Sequence, residues 1–258
     1  MINKNAIITG ASGFLGSVFI DALLELKYSL ILVDKNISKL KKINKNKSNI
    51  HLYKVDLSNS SEINNFYNKI EKKFKKIDVL INSASIDAKP NFAKKKKNFT
   101  LENLSEKQWD REININLKSV FLLSRKIGNL MSYYKDGIIL NIGSDLSVIS
   151  PNQSIYKNKK FIYKKPITYS VSKHGIIGIT KYLAEYWSKL NVRVNCLSPG
   201  SVNHKQSLSL KKNLINLIPI ARLLDKKELI NIVKFLCSDK SSYITGQNII
   251  IDGGRTII

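Results

Sequence analysis

Cysteines and long apolar runs are what this sequence has least of. Only two cysteines, Cys196 and Cys237, occur in 258 residues, and they form neither a disulfide framework nor a metal-ligand spacing. We therefore expect two reduced cysteines in the core and no bound metal. No run is long enough to span a membrane, and the N-terminus lacks the order of a signal peptide. A cytoplasmic protein without a membrane segment is expected.

Acidic residues are also scarce. There are 19 Asp and Glu against 43 Lys and Arg, which gives a formal net charge of +24. Such a charge suggests nucleic acid or another polyanion as a partner. The lysines are scattered, however, and no nucleic-acid-binding motif accompanies them. We interpret most of them as surface positions that drifted to lysine, and an anionic small-molecule substrate is the functional alternative. Nucleic-acid binding is not expected.

Short apolar runs alternate with longer amphipathic segments along the chain. This alternation predicts βαβ units and a doubly wound parallel sheet with helices on both faces, in the α/β class. No linker or internal repeat is present, so residues 1–258 are expected to form a single domain. The predicted strands are 6–10, 29–34, 50–58, 77–85, 137–144, 192–200 and 248–254, and the predicted helices are 14–26, 62–74, 105–132, 168–190 and 225–239.

Two segments, 87–104 and 145–167, do not fit the alternation. Both follow the carboxyl end of a predicted strand, where open α/β sheets bind ligands, and long loops in a compact domain often serve function. Together with 201–218, they are expected to frame a substrate pocket.

The stretch "TGASGFLG" (9–16) joins the first predicted strand to the first helix. Its glycines, Gly10, Gly13 and Gly16, stand three apart and let the backbone approach a phosphate at a helix N-terminus. Asp34 ends the second strand and can accept hydrogen bonds from ribose hydroxyls while repelling a 2′-phosphate. The pattern favours NAD over NADP, although Lys35 weakens this argument. The alternative for Asp34 is a turn or cap residue.

Eight motifs, taken in order, resemble the short-chain dehydrogenase/reductase family over almost the whole chain. They are "TGASGFLG", "VDLS" (55–58), "INSAS" (81–85), "NINLKSVF" (114–121), "LNIGS" (140–144), "YSVSK" (169–173), "NVRVNCLSPG" (191–200) and "TGQNIIIDGG" (245–254). The resemblance implies a Rossmann-type sheet, a nicotinamide cofactor, and hydride transfer to or from a carbonyl or alcohol.

The resemblance also implies roles for individual residues. The implied catalytic residues are Asn116, Ser144, Tyr169 and Lys173. Besides Tyr169 and Lys173, the implied cofactor contacts are Gly10, Ser12, Gly13, Phe14, Leu15, Gly16, Asp34, Asp56, Leu57, Asn82, Ser83, Ala84, Pro199, Gly200 and Val202.

Three features depart from the family's usual pattern. The glycine spacing is that of its extended branch, which contains epimerases and dehydratases, whereas the C-terminal motif is that of its classical branch. "INSAS" stands where Asn-Asn-Ala-Gly is usual. Residues 201–203, "SVN", lack the threonine that often binds the carboxamide. These departures concern how the nicotinamide is anchored and leave the reaction class unchanged.

Two tyrosine–lysine pairs with a spacing of four compete for the catalytic role. The family's spacing from the serine favours Tyr156, which lies 12 residues after Ser144, whereas Tyr169 lies 25 residues after it. Helical context favours Tyr169, because apolar residues recur after it at the period of a buried helix face. We therefore assign Tyr169 and interpret 145–167 as containing an insertion. Tyr156 is expected beside the substrate or merely exposed.

The implied chemistry is proton transfer by Tyr169. The Lys173 ammonium is expected to lower the pKa of Tyr169 and to bind the nicotinamide ribose. Ser144 would hold the substrate oxygen, and Asn116 would position a water.

The expected substrate is a sugar, sugar phosphate or nucleotide sugar. A 3-oxoacyl thioester is the first alternative, and a secondary alcohol or polyol is also compatible with the motifs. An NAD-using epimerase or dehydratase, or a non-enzymatic NAD-binding regulator, are the rivals from other classes. Helices 105–132 and 168–190 carry apolar residues on more than one face, so a homodimer or homotetramer is expected.

Overall fold

One parallel sheet is built from seven apolar runs in the described part of the chain. The computed structural model describes residues 4–43, 48–87, 100–156 and 163–258. The strands are β1 (Asn5–Thr9), β2 (Ser29–Asp34), β3 (Ile50–Lys54), β4 (Val79–Asn82), β5 (Gly137–Ile142), β6 (Val192–Pro199) and β7 (Asn248–Ile251). The sheet order is β3-β2-β1-β4-β5-β6-β7, which confirms the predicted doubly wound α/β class.

Helices cover both faces of this sheet. The helices are α1 (Phe14–Glu25), α2 (Ser38–Ile43), α3 (Ser60–Lys73), α4 (Glu106–Ile113), α5 (Ser119–Tyr133), α6 (Ile167–Trp187), α7 (Leu208–Ile215) and α8 (Lys226–Leu236). Two of them, α2 and α7, were not predicted. The predicted helix over 105–132 is divided into α4 and α5 by a π-helical turn, Asn114–Lys118. In the described residues, no helix is both long and apolar enough to cross a membrane.

Strands β1 and β2 are mostly apolar because their two faces pack on separate cores. In β1, Ala6 and Ile8 join the core under α1 and α8, whereas Ile7 joins the core under α3, α5 and α6. Successive strand residues point to opposite faces, so a strand buried on both sides needs apolar residues at every position. Cys196 and Cys237 are free and buried, as predicted.

The carboxyl ends of β1, β4, β5 and β6 meet at one edge of the sheet. From β1 the sheet continues through β2 to β3 on one side, and from β4 it continues through β5 and β6 to β7 on the other side. This reversal of direction between β1 and β4 creates a crevice at their carboxyl ends. Buried amides link the elements behind the crevice. Asn82 Nδ2 donates to Asn141 Oδ1 at 2.8 Å, and Asn141 Nδ2 donates to Thr180 Oγ1 at 3.0 Å. These bonds tie β4 and β5 to helix α6.

Candidate active site

The glycine turn after β1 is shaped by contacts that exclude side chains. Gly10 has φ +66°, and a Cβ there would lie 2.8 Å from Ala84 Cα. A Cβ on Gly16 would lie 2.4 Å from the Gly10 carbonyl oxygen. Gly13 has an ordinary φ of −74° and is the N-cap residue of α1, so no side chain bonds to the first N–H groups of that helix. The turn therefore brings bare backbone and the helix N-terminus to the crevice, an arrangement suited to a phosphate.

Asp34 lies at the end of β2, next to this turn. Its carboxylate accepts hydrogen bonds from Ser12 N at 3.0 Å and Asn36 N at 2.9 Å, so the turn role considered above is present. The side chain remains partly exposed, which leaves lone pairs for a ligand. Lys35 is directed away, because its ammonium pairs with Asp56 Oδ2 at 2.6 Å. That bond lowers the pKa of Asp56 to about 2.

The end of β4 forms the opposite wall of the crevice. Thr9 Oγ1 accepts hydrogen bonds from Ser83 N at 2.9 Å and Ala84 N at 3.1 Å, which fixes this wall against β1. Among the described residues, Asn82 Oδ1 is a buried oxygen without a hydrogen-bond partner. The turn, Asp34 and this acceptor together fit a dinucleotide.

Two predicted cofactor contacts have side chains in the core instead. Leu57 is buried in one core cluster, and Leu15 packs against the other. The Leu15 side chain is only partly buried, and the contact of both residues with a cofactor stays a prediction.

Ser144, Tyr169 and Lys173 come together where β5 ends and α6 begins. The Ser144 and Tyr169 side chains interact, and the Lys173 ammonium lies 5.6 Å from the Tyr169 ring centroid. Lys173 is buried and donates from Nζ to the Ile142 carbonyl at 2.7 Å. The structure therefore brings together three of the four residues that the resemblance names as catalytic.

The pKa of Tyr169 does not follow the prediction. Burial raises the pKa of the Tyr169 hydroxyl, the Asp87 carboxylate raises it further, and hydrogen bonding with Ser144 opposes them. Burial also lowers the pKa of Lys173 to about 8. The predicted lowering of the Tyr169 pKa by Lys173 is not among these effects, and the Lys173 ammonium donates to the Ile142 carbonyl.

Asn116 lies in the π-helical turn between α4 and α5. Its side chain bonds to both backbone groups of Ile86, with Oδ1 accepting from the amide at 2.7 Å and Nδ2 donating to the carbonyl at 3.0 Å. Its Nδ2 also donates to Ser172 Oγ of α6 at 3.5 Å. Asn116 thus fixes the segment after β4 against α6, and its role in holding a water stays a prediction.

The segment after β6 contains the residues that are predicted to contact the nicotinamide. Gly200 is required by packing, because a Cβ there would lie 2.8 Å from Asp252 Cα. Val202 forms an isolated bridge with Leu224, and Pro199 ends β6. Further along, the His204 ring stacks on Phe14 with ring centroids 3.9 Å apart, which joins this segment to the glycine turn.

The loops predicted to frame the pocket are only partly described. Of 87–104, residues 88–99 lie outside the described residues, and so do 157–162 of the insertion. Tyr156 is described and partly buried, with its ring 5.6 Å from that of Tyr163. Burial raises the pKa of Tyr156 to about 12, and Asp87 and Asp145 act on it as well. Tyr156 therefore lies beside the site and is not merely exposed. The third predicted loop, 201–218, contains helix α7.

Two charged pairs at the site were missed from the sequence. Lys165 pairs with Asp87, and its ammonium lies 4.0 Å from the Tyr169 ring centroid. Asp145 pairs with Arg255 at 2.6 Å and accepts a hydrogen bond from Ser144 Oγ at 2.8 Å. A carboxylate directly after the candidate serine was a visible signal for Asp145. Lys165 had none, because lysines surround it in the sequence.

Comparisons with known proteins agree with this geometry. A family described as "Enoyl-(Acyl carrier protein) reductase" matches residues 15–256. The chain is 29% identical to the 3-oxoacyl-(acyl-carrier-protein) reductase of Thermotoga maritima, over 98% of each chain. It is 31% identical to an NAD-dependent glycerol dehydrogenase of Listeria innocua, over 99% of this chain and 94% of that one. A short chain dehydrogenase of Leptospira borgpetersenii, solved with bound NAD+, superposes with a TM-score of 0.86 at 32% identity, over 98% and 93%.

Proposed function

The chain belongs to the short-chain dehydrogenase/reductase family and is an NAD(P)-dependent oxidoreductase, and on that premise we propose that it transfers a hydride between NAD and a sugar-like carbonyl or secondary alcohol. The proposal includes sugars, sugar phosphates and nucleotide sugars. The observation that carries it is the placement of Ser144 and Tyr169 beside Lys173 at the crevice.

The chain's own residues would handle the proton and the substrate oxygen. A bound nicotinamide would supply or accept the hydride, with the Gly10–Gly16 turn and Asp34 holding the adenosine and phosphate parts. Tyr169 would take the substrate's hydroxyl proton in oxidation and return it in reduction. Ser144 would orient the substrate oxygen, once its hydroxyl leaves Asp145. Lys173, buried and cationic, would stabilise negative charge that develops at Tyr169.

The charges around Asp34 support NAD over NADP. A 2′-phosphate at the end of β2 would meet the Asp34 carboxylate, and like charges brought together are strongly unfavourable. The neighbouring Lys35 is held by Asp56 at 2.6 Å. Lys35 is therefore already paired and would have to leave Asp56 to bind a 2′-phosphate.

Charge and aromatic rings in the insertion support a carbohydrate substrate. Lys165 and Tyr156 both lie by Tyr169, and Tyr163 packs against Tyr156. The similarity to a glycerol dehydrogenase supports a polyhydroxy substrate as well. The second candidate is reduction of a 3-oxoacyl thioester, which is favoured by the similarity to the Thermotoga maritima reductase.

We also propose that the protein forms a homodimer or homotetramer and, as the sequence predicts, works in the cytoplasm. Large apolar side chains are exposed on the outer faces of α5 and α6, where burial by a second copy would stabilise them. These side chains are Phe121, Val171, Tyr182 and Tyr186. Light scattering of the purified chain gives the oligomeric state directly.

The experiment that tests the function follows nicotinamide absorbance. The purified protein is mixed with NAD or NADP in each oxidation state and with separate pools of sugar phosphates, nucleotide sugars and 3-oxoacyl thioesters. We expect oxidation or reduction of NAD(H) with a sugar pool. A response only to thioesters would establish the second candidate. Substrate conversion without net change in NADH would instead indicate an epimerase or dehydratase.

A further inference from the structure

An ion pair lies against the ring of Tyr169. The Lys165 ammonium is 4.0 Å from the Tyr169 ring centroid and is bonded to Asp87 Oδ1. The two partners differ in exposure, with the Lys165 side chain 9% exposed and the Asp87 side chain 39% exposed. The lysine is therefore the buried member of the pair, and the aspartate is the member open to solvent.

The backbone of Lys165 is held independently of Asp87. Lys165 N donates to Gln153 Oε1 at 2.8 Å, and Gln153 Nε2 donates to the Lys165 carbonyl at 3.3 Å. One side-chain amide thus occupies both backbone polar groups of Lys165. Loss of Asp87 would leave the backbone of Lys165 in place beside Tyr169, because Gln153 holds it.

We infer that Lys165 binds an anionic group of the substrate, a carboxylate or a phosphate a few bonds from the reacting carbon, and that Asp87 holds the ammonium until this group replaces it. The inference rests on the proposed function, since it places the reacting carbon at the Tyr169 hydroxyl. A substrate oxygen bonded to that hydroxyl lies next to the same ring that Lys165 covers.

The exchange has a physical basis. A buried ammonium is costly without an anionic partner, so Lys165 favours an anion in its vicinity at all times. The exposed Asp87 loses little when it is released, because water solvates the free carboxylate. An incoming anion gains the charge-assisted hydrogen bond that Asp87 gives up. A neutral substrate gains nothing from Lys165 and leaves the pair closed.

The rival interpretation is a structural one, in which the pair only ties the end of the β4 segment to the start of α6. The two interpretations predict opposite effects for Asp87→Asn. An exchangeable partner competes with the substrate anion, so its removal strengthens anion binding. A structural tie supports the pocket, so its removal weakens the binding of every substrate and lowers Tm.

The test measures binding of two matched pairs of carbonyl compounds by calorimetry, using the full chain saturated with NAD+ so that no hydride is available. Acetoacetate is compared with ethyl acetoacetate, and dihydroxyacetone phosphate with dihydroxyacetone. The expected result is that Lys165→Gln lowers the anionic-to-neutral affinity ratio by about tenfold or more, since hydrogen bonds to charged groups are the strong ones. Asp87→Asn raises that ratio, and Lys165→Arg largely preserves it.

Lys181→Gln is the matched control, because it removes one exposed charge from the same helix as Tyr169. An equal fall of the ratio in this control, or no anion preference in the unmodified protein, overturns the inference. The two pairs separate carboxylate from phosphate recognition. NADH oxidation by the same ketones is measured in parallel. Lys165-dependent binding without NADH oxidation would contradict the proposed function while supporting the anion site.

Discussion

Arg255 and Asp145 form an ion pair of 2.6 Å in which both side chains are about 5% exposed. Asp145 also accepts the hydroxyl hydrogen bond of Ser144 at 2.8 Å. The turn at Arg255–Ile257 is therefore connected through the buried Asp145 carboxylate to Ser144, whose side chain interacts with Tyr169.

Arg255→Ala should destabilise the fold strongly, because it leaves the Asp145 carboxylate buried without its partner. We expect a loss of about 3–5 kcal/mol in the free energy of unfolding, measured by urea denaturation. Lys234→Ala, which removes the partly exposed pair with Glu25, is the control and should cost less than about 1 kcal/mol. Equal losses in the two variants would show that the buried ion pair contributes no more to the free energy of unfolding than the partly exposed one.

Tyr169→Phe should abolish most turnover and leave cofactor binding near normal, because it removes only the proton-transferring hydroxyl. We expect kcat to fall by about a hundredfold or more. NADH affinity, measured by fluorescence titration, should stay within about twofold of the original value, well below the tenfold that 1.4 kcal/mol represents. Tyr156→Phe is the matched control and should retain most of the activity. The reverse pattern would assign catalysis to Tyr156.

Asp87→Asn should shift the pH profile of alcohol oxidation to lower pH. Burial is the main cause that raises the pKa of Tyr169, and the Asp87 carboxylate raises it further. Oxidation needs Tyr169 as a proton acceptor, so its rate rises with pH as the hydroxyl ionises. Removing the negative charge lowers the pKa and moves that rise to lower pH. Plots of kcat/KM against pH check the shift, and an unchanged profile would contradict it.

Asp34→Ser should allow NADP to be used. The substitution removes the carboxylate that would face the 2′-phosphate and keeps a hydroxyl at the end of β2. We expect the ratio of kcat/KM for NADP to that for NAD to rise at least about tenfold, since like-charge contacts cost several kcal/mol. Asp21→Ser, on the exposed side of α1, should leave the ratio unchanged.

Gly16→Ala and Gly178→Ala should have opposite effects. A Cβ on Gly16 would lie 2.4 Å from the Gly10 carbonyl oxygen, so the alanine must displace the turn and weaken cofactor binding and folding. Gly178 lies within α6 with open space around its Cβ position, so alanine should stabilise the helix by about 0.4–1 kcal/mol. Thermal unfolding with and without NADH measures both, and a stable, NADH-binding Gly16→Ala variant would contradict the tight turn.

Strands such as β1 and β2 could be predicted because they are buried on both faces and are therefore mostly apolar. Helix α7 was missed because it is short and lies in a segment that follows the carboxyl end of a strand, as ligand loops do. The π-helical turn leaves no trace in the apolar period of 105–132. The division of that predicted helix was therefore visible only in the structure.

Helix α6 and the position of Tyr169 at its start could be predicted from sequence, because periodicity reports helical context. The charges around Tyr169 could not. Asp145 and Arg255 are 110 residues apart, and Lys165 is 78 residues from Asp87. A spacing of four predicted that Lys173 lies near Tyr169, and it does, but the burial that raises the pKa of Tyr169 depends on packing that the sequence does not show.

The bonds between Gln153 and Lys165 have a consequence for how this enzyme can change over evolution. They fasten the two ends of the segment between these residues to each other, whatever lies in between. Lengthening a closed loop costs little, because the entropy of closure grows only slowly with length. Residues 157–162 can therefore be exchanged, extended or shortened while Lys165 and the start of α6 keep their positions. The segment provides a place where new substrate preferences can be tried without rebuilding the proton-transfer residues.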